Sequence, residues 1–128
     1  MAIGAPTLYK MIRAFGFGDP TQIDAPGENS GIVPALADWS DSSIATISFG
    51  HGVSTTPLAM ARAYAAIANG GTLLRPRLVR SLYDENGNVV YTYGPEIERR
   101  VISEATAATL RGYLRTVVVR GTGNPTAQ

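Results

Sequence analysis

The 128 residues predict an α+β fold, mainly helical, with about three to four helices and one β-hairpin. Three observations carry the prediction. Thr56-Pro57 opens an alanine-rich apolar run that Asn69-Gly70-Gly71 closes. A second run of helical period follows Ser103. Between them, two alternating segments flank Asn86-Gly87, a strong short-range hairpin signal.

Taken in chain order, a first helix is expected over about 7–15. Leu8, Ile12 and Phe15 recur at helical spacing with Met11 beside them, Pro6 suits the first turn, and Gly16 and Gly18 end it. Residues 16–40 read as loop, rich in proline and glycine as far as Ala37. That is long for an unstructured connection, which points to function or to close packing on a neighbour. Asp38-Trp39-Ser40-Asp41 offers cap chemistry for a short helix over about 41–48.

A buried helix is expected over 57–69, where Arg62 is the single charge. Leu58, Ala61, Ala65 and Ala68 form one stripe and Met60, Tyr64 and Ile67 a second, so burial on most sides is predicted. The hairpin falls at about 78–93, bracketed by Pro76 and Pro95. The last helix, 104–120, starts at the Ser103 cap, and Gly121 stops it. Its expected buried stripe is Ala107, Leu110, Leu114, Val117 and Val118. Residues 121–128 trail off as coil.

Composition excludes several classes of function. Apolar residues make up 45% of the chain, so disorder is not expected. The net charge of +1 and scattered arginines give no broad positive field for nucleic acid. No run approaches the roughly 20 apolar residues of a membrane span, and the first residues do not form a signal peptide. With no cysteine, one histidine and dispersed carboxylates, neither a metal site nor a cofactor is expected.

His51 is the one conspicuous candidate for chemistry, set in Gly50-His51-Gly52 with Ser48 and Ser54 nearby. A Ser–His–Asp arrangement would draw on Asp38 or Asp41. A triad is defined by geometry, which proximity in sequence does not supply, and no Gly-x-Ser-x-Gly elbow is present. Two readings stay open: a structural histidine in a tight loop, or a histidine on the rim of a cleft. "GFGDPT" and "GTGNPT" lack the continuation of a phosphate loop and read as turns.

Four segments, in this order, carry a resemblance. They are "FGFGDPTQIDAPGENSG" (15–31), "ATISFGHGVSTTPLAMARAYAAIANGGTLLRPRLV" (45–79), "DENGNVVY" (84–91) and "RRVISEATAATLRGYLRTVVVRGTG" (99–123). Together they resemble the transpeptidase domain of class B penicillin-binding proteins, the peptidoglycan D,D-transpeptidases, over essentially the whole chain. Such enzymes use a Ser-x-x-Lys nucleophile, a Ser-x-Asn motif and a Lys-Thr/Ser-Gly strand. The logic is acyl transfer, with serine activated by lysine and an oxyanion held by fixed donors.

None of the three motifs is present. The only lysine is Lys10, and Thr7-Leu8-Tyr9-Lys10 lies in the wrong part of the family order. The resemblance therefore implies that residues 1–128 are a partial transpeptidase domain, the interval between the second and third motifs, with no catalytic residue of its own. It implies that Phe49 and His51 border the substrate groove, and that helix 57–69 packs beneath a central antiparallel sheet. For the parent it implies a membrane-anchored, extracytoplasmic enzyme that crosslinks peptidoglycan stem peptides and is acylated by β-lactams. A penicillin-recognising sensor or inactive relative, acting as a binding module, is the rival reading. The isolated chain is expected to self-associate through apolar surface left without its cover.

Overall fold

The structure, a computed structural model, describes residues 3–40, 42–121 and 123. Four helices and two small antiparallel sheets make up the α+β fold: α1 (Ala5–Ala14), α2 (Ser43–Ser48), α3 (Pro57–Ala68), β1 (Thr72–Leu74), β2 (Ser81–Tyr83), β3 (Val89–Thr92), β4 (Ile97–Arg100) and α4 (Glu104–Arg120). Position 41, where the short helix is expected to start, and residues 122 and 124–128 of the expected coil lie outside the described residues.

Local chemistry explains the helix starts. The Thr56 hydroxyl accepts the Ala59 N–H at 3.1 Å, and Pro57 occupies the first helical position of α3. These devices supply an acceptor for one orphan donor and remove the need for another. Ser103 does the same for α4, accepting the Thr106 N–H at 3.1 Å, with Glu104 in the favourable end of the helix dipole. The expected long loop is not featureless. It contains a 3₁₀ turn at Leu36–Asp38, and the Trp39 indole donates to the Pro34 carbonyl at 3.2 Å while its ring meets Tyr9 edge-on.

The hairpin β2–β3 is joined through Asp84, whose carboxylate accepts the amides of Asn86 and Asn88 at 2.9 and 2.8 Å. A second sheet, β1 paired with β4, was not anticipated. Its strands are three and four residues long, and β4 reads Ile-Glu-Arg-Arg, without the alternation that marks a half-buried strand. Gly71 stands at its entrance with φ of 99°, and a methyl group there would lie 2.2 Å from the Ile102 carbonyl oxygen. Only glycine accepts both the backbone angle and that approach.

Two burial expectations are corrected. In α3 the buried face is Ala59, Arg62, Ala63 and Ala66, not the stripe through Leu58, Ala61, Ala65 and Ala68, nor the second through Met60, Tyr64 and Ile67, so the helix is buried on one side only. A reading by hydropathy puts Arg62 outside, whereas the fold buries it to 6% exposure because two oxygens receive it. In α4 only Ala107 is buried; Leu114, Val117 and Val118 stand exposed. The geometry is simple. α4 has 17 residues and α3 has 12, so at ~3.6 residues per turn α4 is longer by about one and a half turns. Its distal turns have no helix to rest on.

Arginines tie these elements together. Arg99 donates from its side chain to the carbonyls of Ala14 and Arg13 at 3.0 and 3.2 Å, at the end of α1. Arg111 of α4 donates to Ile67 and Ala68 at 3.0 and 3.4 Å, at the end of α3. A cation on the orphan carbonyls of a helix C-terminus satisfies them and meets the favourable end of the dipole.

The hydrophobic core is thin. Its buried members among the described residues are Ile47, Ala59, Ala63, Ala66, Leu73 and Ala107. Two apolar grooves flank it. One, of about 270 Å³, runs between α3 and α4 and includes Phe17, Met60, Tyr64, Ile67 and Leu110. The other, of about 160 Å³, lies between α1 and residues 47–55 and shares Phe17 and Met60 with the first.

Candidate functional site: the loop following α2

The chain leaves α2 through three backbone bonds. Phe49 and His51 donate their N–H groups to the Thr46 carbonyl at 3.3 and 3.0 Å, and Gly50 donates to Ile47 at 3.0 Å. Gly50 and Gly52 on either side of His51 both have φ of 89°. This turn puts Phe49 and His51 at the surface; Phe49 is 75% exposed.

The neighbouring hydroxyls do not assemble a triad. Ser48 donates its hydroxyl to the Ala45 carbonyl at 2.6 Å, turned back along α2. Ser54 is held through its backbone in a bridge with Ile32. Asp38 lies exposed in the 3₁₀ turn and makes no hydrogen bond to His51 among the described residues, and Asp41 lies outside them. Thr7 and Lys10 both face solvent on α1.

A second loop, residues 16–35, braces the first, and its anchoring residues were not singled out from sequence. The Glu28 carboxylate accepts the Thr21 N–H at 2.6 Å and the Gln22 N–H at 3.0 Å. Burial pushes the Glu28 carboxyl up. The hydrogen bonds from Thr21 and Gln22, with the charge of Arg62, outweigh it and hold the group below its usual range. Arg75 donates to the Gln22 carbonyl at 2.7 Å, and Asp24 accepts the amides of Leu78 and Val79 at 2.8 and 3.3 Å. The loop is thus tied to the strand region at one end. At the other it meets the His51 loop, where the Ile32 N–H donates to Ser54 at 2.9 Å and the Ser54 N–H donates to Ile32 at 2.8 Å. The available signal was the pair Asp24 and Glu28, carboxylates in a proline- and glycine-rich stretch where backbone amides need acceptors.

This geometry is an exposed loop held by a second one. It presents an aromatic ring and an imidazole, and it contains no assembled nucleophile among the described residues.

Comparison with known proteins shows the family. The profile of the penicillin binding protein transpeptidase domain matches residues 1–128. Penicillin-binding protein PbpB of Mycolicibacterium smegmatis is 42% identical over 118 residues, 92% of this chain and 18% of the relative. Peptidoglycan D,D-transpeptidase FtsI of Escherichia coli is 41% identical over 76 residues, 59% of this chain and 13% of the relative. A crystal structure of penicillin binding protein 3 from Mycobacterium tuberculosis complexed with ampicillin superposes with a TM-score of 0.82 at 38% identity, over 95% of this chain and 27% of that one. The chain thus spans less than a fifth of the length of these two curated relatives. It belongs to the penicillin-binding protein transpeptidase domain family.

Proposed function

We propose that this chain works as part of a peptidoglycan D,D-transpeptidase. In the intact enzyme a serine nucleophile supplied by residues outside this chain attacks the last peptide carbonyl of a stem peptide, breaks that amide and releases the terminal residue as its free amine; the acyl-enzyme then passes the acyl group to a second peptide's amine and regains the serine hydroxyl. β-Lactams acylate the same serine. Phe49 and His51 form part of the groove rim, and the fused apolar grooves around Phe17 and Met60 seat the remainder of the domain. The enzyme acts on the extracytoplasmic face of a bacterial membrane, anchored by segments outside this chain.

The observation that carries this reading is the match itself. The transpeptidase profile matches residues 1–128, and among the described residues the exposed Phe49 and His51 stand beside no assembled nucleophile. The relatives' names favour the enzyme over a sensor or inactive binding module. The test is intact-mass spectrometry after incubation with a labelled penicillin. The isolated chain should take no adduct, and the full-length protein that carries it should take one, on a serine outside this chain. A stoichiometric adduct on a serine of the isolated chain would overturn the proposal.

A further inference from the structure

We propose that Gly31 is a positioning residue for the groove rim, acting through Ser54; this rests on the transpeptidase reading given above. Gly31 has φ of 73°, and a methyl group on it would lie 2.3 Å from the Ser54 carbonyl oxygen and 3.0 Å from its carbon. That is far inside van der Waals contact, and the obstacle is backbone, which cannot swing away as a side-chain tip does. Next to this contact the Ile32–Ser54 bridge closes with both its hydrogen bonds, at 2.9 and 2.8 Å. The side chain of Asn29 accepts the Gly31 N–H at 2.8 Å and so orients the glycine toward Ser54. Ser54 is three residues from His51, joined to it through Gly52 and the half-buried Val53. The bonds to Thr46 and Ile47 shape the turn itself, and how closely Gly31 lets Ser54 approach sets where the far end of the loop, after His51, is anchored.

The same loop supplies its own control. Gly27 has φ of 79°, but a methyl group there would have nothing within 4 Å. Alanine at either position meets the left-handed backbone penalty. Only alanine at Gly31 also pushes on the rim.

The experiment compares unmodified, Gly31→Ala and Gly27→Ala forms of the full-length transpeptidase, measuring thermal stability and the kinetics of acylation by a labelled penicillin across concentrations. Gly31→Ala is expected to raise the half-saturating penicillin concentration about tenfold, a modest share of what a displacement near 1 Å does to a reacting geometry. The limiting acylation rate changes much less, because the nucleophile is not on this loop. Gly27→Ala should lose less thermal stability, from the backbone penalty alone, and keep both kinetic constants. If Gly31→Ala does not fold, Asn29→Ala decides: it adds no volume and should raise the half-saturating concentration about threefold, in the same sense but less than the tenfold change from the direct collision. Wild-type kinetics in Asn29→Ala in that case, or identical behaviour of the two glycine variants, overturns the assignment alone. An unmodified protein that takes no label overturns the transpeptidase reading and the assignment together.

Discussion

Arg62 on α3 and Glu98 on β4 form an ion pair across 36 positions of sequence, with side chains 4% and 24% exposed. The Arg62 Nε also donates to the Leu74 carbonyl at 2.9 Å, so one guanidinium joins α3 to both strands of the β1–β4 sheet. Removing Arg62 leaves the half-sheltered Glu98, among the described residues, with only its longer pair to Arg99 at 3.4 Å. For a fully buried pair that costs about 3–5 kcal/mol; water still reaches Glu98, so about 2–3 kcal/mol is expected for Arg62→Ala. Glu98→Gln should cost less, since an amide still accepts a hydrogen bond. Urea denaturation of the single and double variants measures the pair directly. Equal stability of wild type and Arg62→Ala would remove this pair from the account of the fold.

Acid should loosen the attachment between residues 16–35 and the strand region. The N–H of Leu78, followed by that of Val79, holds the Asp24 carboxyl below its ordinary range. A depressed folded-state value means that the stabilisation is present above the unfolded value and is lost as pH falls through the folded one. Asp24→Asn should therefore destabilise at neutral pH and make little difference well below pH ~4. Thermal melts from pH 7 to pH 2 test this. A constant difference across that range would count against the linkage.

The isolated chain is expected to self-associate. Met60, Tyr64 and Leu114 border one groove and are 40%, 52% and 36% exposed. Apolar area removed from water contributes about 25 cal/mol per Å², which favours pairing this face with a copy of itself. Sedimentation velocity at several concentrations should show reversible association that Tyr64→Glu weakens. A strictly monomeric wild-type chain at high concentration would refute the expectation.

His51 is expected to tune rather than drive the reaction. In the full-length protein, His51→Ala should change penicillin acylation by less than about tenfold, whereas loss of a general base costs roughly 10²–10⁴-fold. Stopped-flow acylation with a fluorescent penicillin separates the two cases. A loss in the larger range with an unchanged melting temperature would place His51 in the proton-transfer chemistry.

The fold class was legible because its signals are local. Thr56-Pro57, Ser103 and Asn86-Gly87 each specify a short-range geometry that needs no knowledge of the rest of the chain. What was not legible depends on distant partners. Arg62 looks like a surface residue until Leu74 and Glu98 are placed around it. Strand β4 looks like a charged loop until β1 supplies its hydrogen bonds. The outward face of α4 has a core-like sequence but finds no cover within these residues. The loop carrying His51 stood out because the residue is unique, whereas its brace through Gly31 did not. A glycine's importance here comes from a carbonyl 23 positions away.

The thin core has a calorimetric consequence. Much of the heat-capacity change of unfolding comes from apolar surface newly exposed to water, and globular proteins average about 12–15 cal/mol/K per residue. In this chain Val117, Val118, Leu82 and Tyr91 are already 49%, 56%, 46% and 53% exposed in the folded state. Less apolar surface remains to be uncovered. The monomeric chain should therefore unfold with a heat-capacity increment below that average, giving a flat stability curve, a broad transition and weak cold destabilisation.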